Sequence, residues 1–284
     1  MTGTLQLTPL IVLVVVGAGA LHACWNAIAK RAGDQLMAFG LIGAASAAGG
    51  AALLAVTGLP ARAALPYAVG SAAIHTGYNL ALLNSYRLGA FNHTYPIARG
   101  TSPLLVAAGA YVLAGERLGP LALAGVCVLA AGLMSLTFSA GQLTRAELPA
   151  VLAALLTGLT IASYTITDGL GVRHAHDPWA YAGVLFLLQG PVMAVIAAAR
   201  RPARQWLVAA HAGPGLLAGL LALTAYGIVL WAQTRAPLAE VAAIREISVV
   251  FAALIGMVFL RERFGIRRTA AAAVIAAGII LMAA

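Results

Sequence analysis

The chain has 284 residues, 62% of them hydrophobic and only 9% charged, with a formal net charge of +9. No soluble domain of that size buries so much apolar surface, so lipid must be part of its solvent. The basic residues, all arginine except Lys30, stand singly or in small groups between apolar runs. They mark helix ends rather than a nucleic-acid-binding face, so the basic balance implies no nucleic-acid partner.

Breaks at Pro, Gly and charge, with roughly 20 apolar residues needed per crossing, predict about ten spans. The first runs over 9–29 and ends at Lys30, Arg31 and Asp34. The second, 35–57, is closed by Gly58 and Pro60, and the third, 67–86, by Arg87 and Gly89. The fourth, 93–114, turns at Gly115-Glu116-Arg117 into the fifth, 118–138. A polar stretch over 140–147 separates 1–139 from 148–284. The second half continues with spans at 148–170, 179–199, 213–233, 239–260 and 265–282. Small residues are dense at 43–50 and 270–278, as in a closely packed bundle.

The second half repeats the first. Arg99 falls on Arg245, Ser102 on Ser248, Glu116 on Glu262, Arg117 on Arg263 and Gly119 on Gly265. Ala130-Ala131-Gly132 falls on Ala276-Ala277-Gly278. Upstream, Tyr78 and Arg87 match Tyr226 and Arg235 once an insertion near 91–94 is allowed for. An internal duplication fixes the architecture. Each unit holds an odd number of spans, so the halves enter the membrane from opposite sides. The predicted fold is all-α and integral to the membrane: ten transmembrane helices as two inverted five-helix repeats.

Ionisable groups inside spans are expensive and ask for a reason. Arg99 and Arg245 stand at matched positions near the starts of spans four and nine. Because the halves are inverted, they become two donors on opposite sides of the midplane, lining one cavity. A guanidinium is a fixed fork suited to carboxylate or phosphate; the competing reading is that each arginine pins its helix. Glu246 follows Arg245, and adjacent positions of a helix face different ways, so it is expected to pair with Arg99 or another helix, or to carry a coupling proton. A carboxyl isolated in a bundle is suited to that.

Other polar residues recur at helical spacing: His22, Asn26 and Lys30; His75, Tyr78 and Asn79; Tyr95, Arg99 and Ser102; Tyr164, Thr167 and Asp168. All must avoid lipid, so the faces converge. Trp25, Tyr226 and Trp231 are candidates for an aromatic wall. Asp168 and Lys30 lie near span ends, where snorkelling to the interface competes with a site role. The Glu116 and Glu262 turns read as structural anchors.

Cys24 and Cys127 read as buried thiols without a disulfide. Leu21-His22-Ala23-Cys24 only faintly resembles a lipoprotein cleavage site and is not read as one. The loop with His174, His176 and Asp177 has no thiolate or second carboxylate nearby, so no metal is expected. No P-loop, paired-Asp, Gly-x-Ser-x-Gly or His-Glu-x-x-His motif occurs. No catalytic residues and no cofactor are therefore predicted.

The duplicated unit resembles the EamA domain, the ten-helix branch of the drug/metabolite transporter (DMT) superfamily. The resemblance rests on Leu113 to Gly119 (Leu-Ala-Gly-Glu-Arg-Leu-Gly), its echo Phe259 to Gly265, and the first-helix pattern from His22 to Lys30. It implies a multi-pass carrier of the bacterial inner membrane, often an exporter, working by alternating access, and not an enzyme. No family motif transfers residue by residue, so the site residues rest on burial and symmetry. The family usually keeps both termini in the cytoplasm. Here odd-numbered loops hold most of the basic residues, which favours the reverse by the positive-inside rule and leaves orientation open.

The expected function is transport of a small anionic or zwitterionic metabolite, of the amino-acid or organic-acid class. Arg99 and Arg245 would take the acidic group, His22, Trp25, Asn26, His75, Tyr78 and Tyr226 would complete the cavity, and Glu246 would couple protons. A proton-coupled multidrug exporter is the rival within the class; an intramembrane enzyme acting on a lipid-linked substrate is the rival outside it. The partners expected are the bilayer, the substrate and protons; the oligomeric state is not legible.

Overall fold

Every regular element among the described residues is helical. The computed structural model describes residues 5–87, 91–138, 148–206, 208–260 and 265–284. The first half holds α1 (Pro9–Arg31), α2 (Gln35–Thr57), a 3-10 turn (Arg62–Ala64), α3 (Leu65–Arg87), α4 (Phe91–Leu113) and α5 (Pro120–Phe138). The second holds α6 (Leu148–His174), α7 (Pro178–Arg200), α8 (Ala203–Trp206), α9 (Ala209–Gln233), α10 (Leu238–Arg245), α11 (Ser248–Leu260) and α12 (Ile266–Ala283).

Local chemistry sets the helix ends. Thr8 accepts the Ile11 N–H (3.3 Å) ahead of Pro9, and Asp34 accepts the Met37 N–H (3.1 Å). Asp177 accepts the Trp179 N–H (2.8 Å) ahead of Pro178. Each is a side-chain N-cap, and proline suits the first helical position. The polar loop before α7 is thus in part a cap. Gly58 (φ 74) closes α2 and Gly115 (φ 66) follows α4, in the left-handed region that favours glycine.

Among the described residues, seven helices are long and apolar enough to cross a membrane: α1, α2, α5, α6, α7, α9 and α12. The other three predicted spans coincide with the helices that carry most of the polar residues. α3 and α4, 23 residues each, hold His75, Tyr78 and Asn79 and Tyr95, Arg99 and Ser102, and are less apolar. Span nine is not one helix over 239–260 as expected. It is two, α10 of 8 residues and α11 of 13, with a break at Glu246 and Ile247.

The bundle is apolar outside and polar within. Leu13, Val56, Val112 and Ile266 are 68–88% exposed, while Ser71, His75, Arg99, Asp168, Arg245 and Glu246 are buried. That inversion suits a multi-pass protein with lipid around it. Cys24 and Cys127 are exposed rather than buried, a correction with a simple cause: a thiol is apolar enough to face lipid.

Glycine sets the tightest approaches. α2 and α7 run antiparallel and cross where Gly43 faces Gly190, and α5 and α12 meet where Gly125 faces Gly278. At each, a Cβ would strike the carbonyl oxygen of the opposite glycine. Without a hydrophobic drive between helices in lipid, such close packing supplies much of the association energy. The predicted linker 140–147, the Arg261-Glu262-Arg263 turn and the side chains of the 91–94 insertion lie outside the described residues.

Candidate functional site

The site begins at the break between α10 and α11. Glu246 N–H bonds to the Ala243 carbonyl, Ile247 to Ile244, Val249 to Glu246 and Val250 to Ile247, at 2.9–3.0 Å. These i→i−3 bonds wind the chain more tightly than an α-helix and shift the direction of each side chain. Gly19 of α1 lies against the break, where a Cβ would meet Ile247, the Ser248 nitrogen and the Arg245 carbonyl. The expectation that Arg245 and Glu246 face different ways assumed a continuous helix. In the tightened turn Arg245 Nη2 donates to Glu246 Oε1 at 3.4 Å.

Arg99 comes to the same carboxylate from α4. Its Nη1 donates to both Glu246 oxygens (3.1 and 2.9 Å), and its Nη2 donates to His22 Nε2 (2.7 Å), which is therefore the unprotonated ring nitrogen. The Arg99 guanidinium also lies 5.2 Å from the centre of the Tyr95 ring. Pro103 has no N–H to offer the Arg99 carbonyl, and Ser102 Oγ donates to it instead (3.3 Å). The arginines do not line opposite sides of a cavity. They meet at one carboxylate, two cations against one anion.

Beside this cluster is a cavity of about 110 Å³. On the scale of ~10–15 Å³ per water it has room for several waters or a small organic molecule. Its wall takes His22 and Trp25 from α1, His75 and Tyr78 from α3, Tyr226 from α9 and Arg245 from α10. Six of the eight predicted binding residues are thus gathered on one surface. Arg99 and Asn26 are not on it: Arg99 is committed to Glu246 and His22, and Asn26 Nδ2 donates to the His22 carbonyl (2.9 Å). Trp231 lies under the Arg235 guanidinium, 4.4 Å from its ring centre, and does not line the cavity.

Arg245 is the group on this wall with bonding capacity to spare. Its side chain is 4% exposed, and its Nε–H has no partner among the described residues. Gln189 Oε1, on a residue of the same wall, is likewise buried and unpartnered. An unmet buried polar atom costs about 1–3 kcal/mol, so this surface is set up for something polar. Sequence reasoning did not find Gln189, a lone amide in an apolar helix with no periodic polar neighbours.

A second carboxylate stands behind the far wall. Asp168 of α6 is fully buried; it does not snorkel to an interface. Its Oδ1 accepts from Tyr181 (2.9 Å) and its Oδ2 from Tyr226 (2.5 Å), and His75 Nδ1 is 4.0 Å away. His75 Nδ1 lies 3.1 Å from both the carbonyl and the hydroxyl of Ser71. The His75 ring stacks on Tyr164 (3.9 Å between centres), and Tyr164 lies 5.9 Å from the Arg245 guanidinium. The two clusters are separated by one aromatic ring.

Ion pairs tie both ends of the bundle. At one end Arg173 binds Glu116 (2.6 Å) and donates to the carbonyls of Gln233 (2.8 Å) and Ala236 (3.1 Å). Glu116 also accepts the Leu238 N–H (2.8 Å), so it caps α10. The anchoring role expected of the first Gly-Glu-Arg turn thus has a concrete form: it joins α6, α9 and α10. At the opposite end Arg201 pairs with Asp34, and that hydrogen bond holds the Asp34 carboxyl below the usual aspartate range.

Comparison with solved structures gives a crystal structure of a protein that superposes with a TM-score of 0.75 at 20% sequence identity, covering 96% of this chain and 97% of that one. At that identity the match shows a shared fold and nothing about substrate. The comparison with curated protein sequences gave no match. A family model described as the EamA-like transporter family matches residues 148–284. The second half of the chain, 148–284, is thus similar to the EamA-like transporter family, which belongs to the drug/metabolite transporter superfamily.

Proposed function

We propose that the chain is an alternating-access carrier, an exporter of the bacterial inner membrane, for a small anionic or zwitterionic metabolite held by Arg245. One observation carries the substrate class: a buried guanidinium on the cavity wall whose Nε–H is unpartnered among the described residues. Arg99 holds Glu246 through its Nη1 and at shorter range than Arg245 does, which leaves Arg245 the freer cation. A carboxylate or phosphate oxygen in the cavity supplies what Arg245 lacks. A cationic drug would instead meet an uncompensated positive charge.

Ten spans in two inverted repeats, 1–139 and 148–284, remain our reading of the architecture. Three pairings between the halves support it, because each of the three recurs with the halves exchanged. α1 packs on α9 as α6 packs on α3; α4 packs on α6 as α10 and α11 pack on α1; α2 packs on α9 as α7 packs on α3. Two such halves can rock about a central site. The Glu116–Arg173 tie would open when the cavity faces that end.

The test is uptake into proteoliposomes of labelled glutamate, phenylalanine, succinate and phosphate. At least one should be carried by the native protein and none by Arg245→Ala, with both proteins monodisperse. Transport retained by Arg245→Ala would remove Arg245 from binding.

A further inference from the structure

Asp168 is the other buried carboxylate of the cavity region, and the carrier reading above gives it no task. We infer that Asp168 is the proton-coupling residue, loaded and unloaded from the cavity through His75 and Tyr226. The inference rests on the carrier reading and moves the coupling role away from Glu246.

The contrast between the two carboxylates carries it. Glu246 is held by two guanidiniums, so its negative charge has fixed compensation. Removing that charge would leave two buried cations against each other. Asp168 is held by hydroxyls, from Ser71 of α3, Tyr181 of α7 and Tyr226 of α9, with His75 Nδ1 of α3 at 4.0 Å. α4 meets α6 through Gly109 against Ile166 and Thr101 against Gly158, and Ala64 of the 3-10 turn and Ala68 of α3 share an apolar cluster with its Val172. The facing charge is Arg245 of α10, beyond Tyr164. A buried carboxylate with hydroxyl partners and no adjacent cation is inexpensive only while something neutralises it. Both oxygens are already occupied by tyrosine hydroxyls, which leaves little room for a metal cation's shell but does not exclude a proton.

The route is short. Tyr226 and His75 are cavity-wall residues and also neighbours of Asp168. A proton from the cavity passes to Asp168 by way of the Tyr226 hydroxyl, which gives its own proton to Oδ2 as it takes one from the cavity side. The reverse transfer returns it when the cavity faces the other membrane face. Atoms and charge balance: one proton enters and one leaves per cycle. Arg245 links this to substrate. An anion bound to Arg245 removes the positive charge that favours an ionised Asp168, so anion binding and proton uptake assist each other and the two travel together, export then being driven by the substrate's own outward gradient.

The test is proton movement in proteoliposomes with an entrapped pH dye, using the same glutamate, phenylalanine, succinate and phosphate probes. The native protein should move protons with whichever probe it carries. Asp168→Asn, which mimics the proton-loaded state, should lose at least tenfold of that proton flux and all pH-driven accumulation. It should still exchange labelled probe across the membrane without a gradient. Proton flux undiminished in Asp168→Asn, or native transport driven by a sodium gradient and indifferent to pH, overturns the inference and leaves the carrier reading intact. No exchange of any probe by the native protein sinks the carrier reading instead. As a check independent of folding of the variant, infrared difference spectra of the native protein across a pH step should contain a protonated-carboxyl stretch that Tyr226→Phe displaces. Its absence overturns the inference too.

Discussion

Glu246 and Asp168 are two fully buried carboxylates on either side of one cavity, and their partners are of opposite kinds. Glu246 meets two guanidiniums. Asp168 meets two phenols, with an imidazole at 4.0 Å. Burial alone therefore says little about what an intramembrane acid does. A carboxylate fixed between cations is part of the scaffold that aims Arg245. A carboxylate among neutral donors is free to change its charge. Polar residues in membranes are expensive in both places, but only in the second does the structure leave the cost variable.

The largest expected effect breaks the Glu246 side. Arg99→Ala takes away the carboxylate's nearest partner and should cost about 3–5 kcal/mol, the range for breaking a buried pair. Thermal unfolding in detergent checks it. Arg245→Ala removes only the longer contact at 3.4 Å and should cost much less stability while abolishing transport. If the two arginines proved interchangeable in stability, the division of labour between them would be wrong.

Next in size are tests of the frame. Ala at Gly43 or Gly190 forces apart backbones already in contact and should cost about 1–3 kcal/mol, as overpacking does. Glu116→Gln loses the charge that holds Arg173 while keeping an acceptor for the Leu238 N–H. It should lower stability by about 1–3 kcal/mol and speed opening at that end, read as faster labelling of a cysteine placed at Ala236.

The smallest effect belongs to Asp34 and Arg201, a partly exposed pair screened by water. The carboxyl is held below its ordinary range in the folded state. Its contribution is therefore present at neutral pH and lost as pH falls through the acid range. Asp34→Asn should lower the melting temperature slightly at neutral pH, and its profile should meet that of the native protein in the acid range, where the native carboxyl is protonated too.

Much of this was legible in the sequence. The repeat singles out Arg99 and Arg245, helical spacing singles out His22, His75 and Tyr78, and Trp25 and Tyr226 stand out as candidates for an aromatic wall. The helix break was not legible, since Glu246 and Ile247 include neither Gly nor Pro. It depends on α1 approaching through Gly19, a tertiary contact. Aligning the halves more strictly gives one clue, for Gly100 stands where the second half has Glu246. The bridging carboxylate thus has no counterpart in the first half. For Asp168 the sequence leaves snorkelling and a site role open, because span six is predicted to end at 170; α6 runs on to His174, and the residue is buried.

The most direct test of Arg245 as the anion-binding group is a thermal-shift screen of the purified protein with amino acids, organic acids, phosphate and cationic dyes, repeated on Arg245→Ala. Binding to the folded state alone raises the melting temperature by mass action. The expected result is stabilisation by an anionic or zwitterionic compound that disappears in Arg245→Ala. Stabilisation by cationic dyes, equal in both proteins, would contradict it and return Arg245 to a purely structural role.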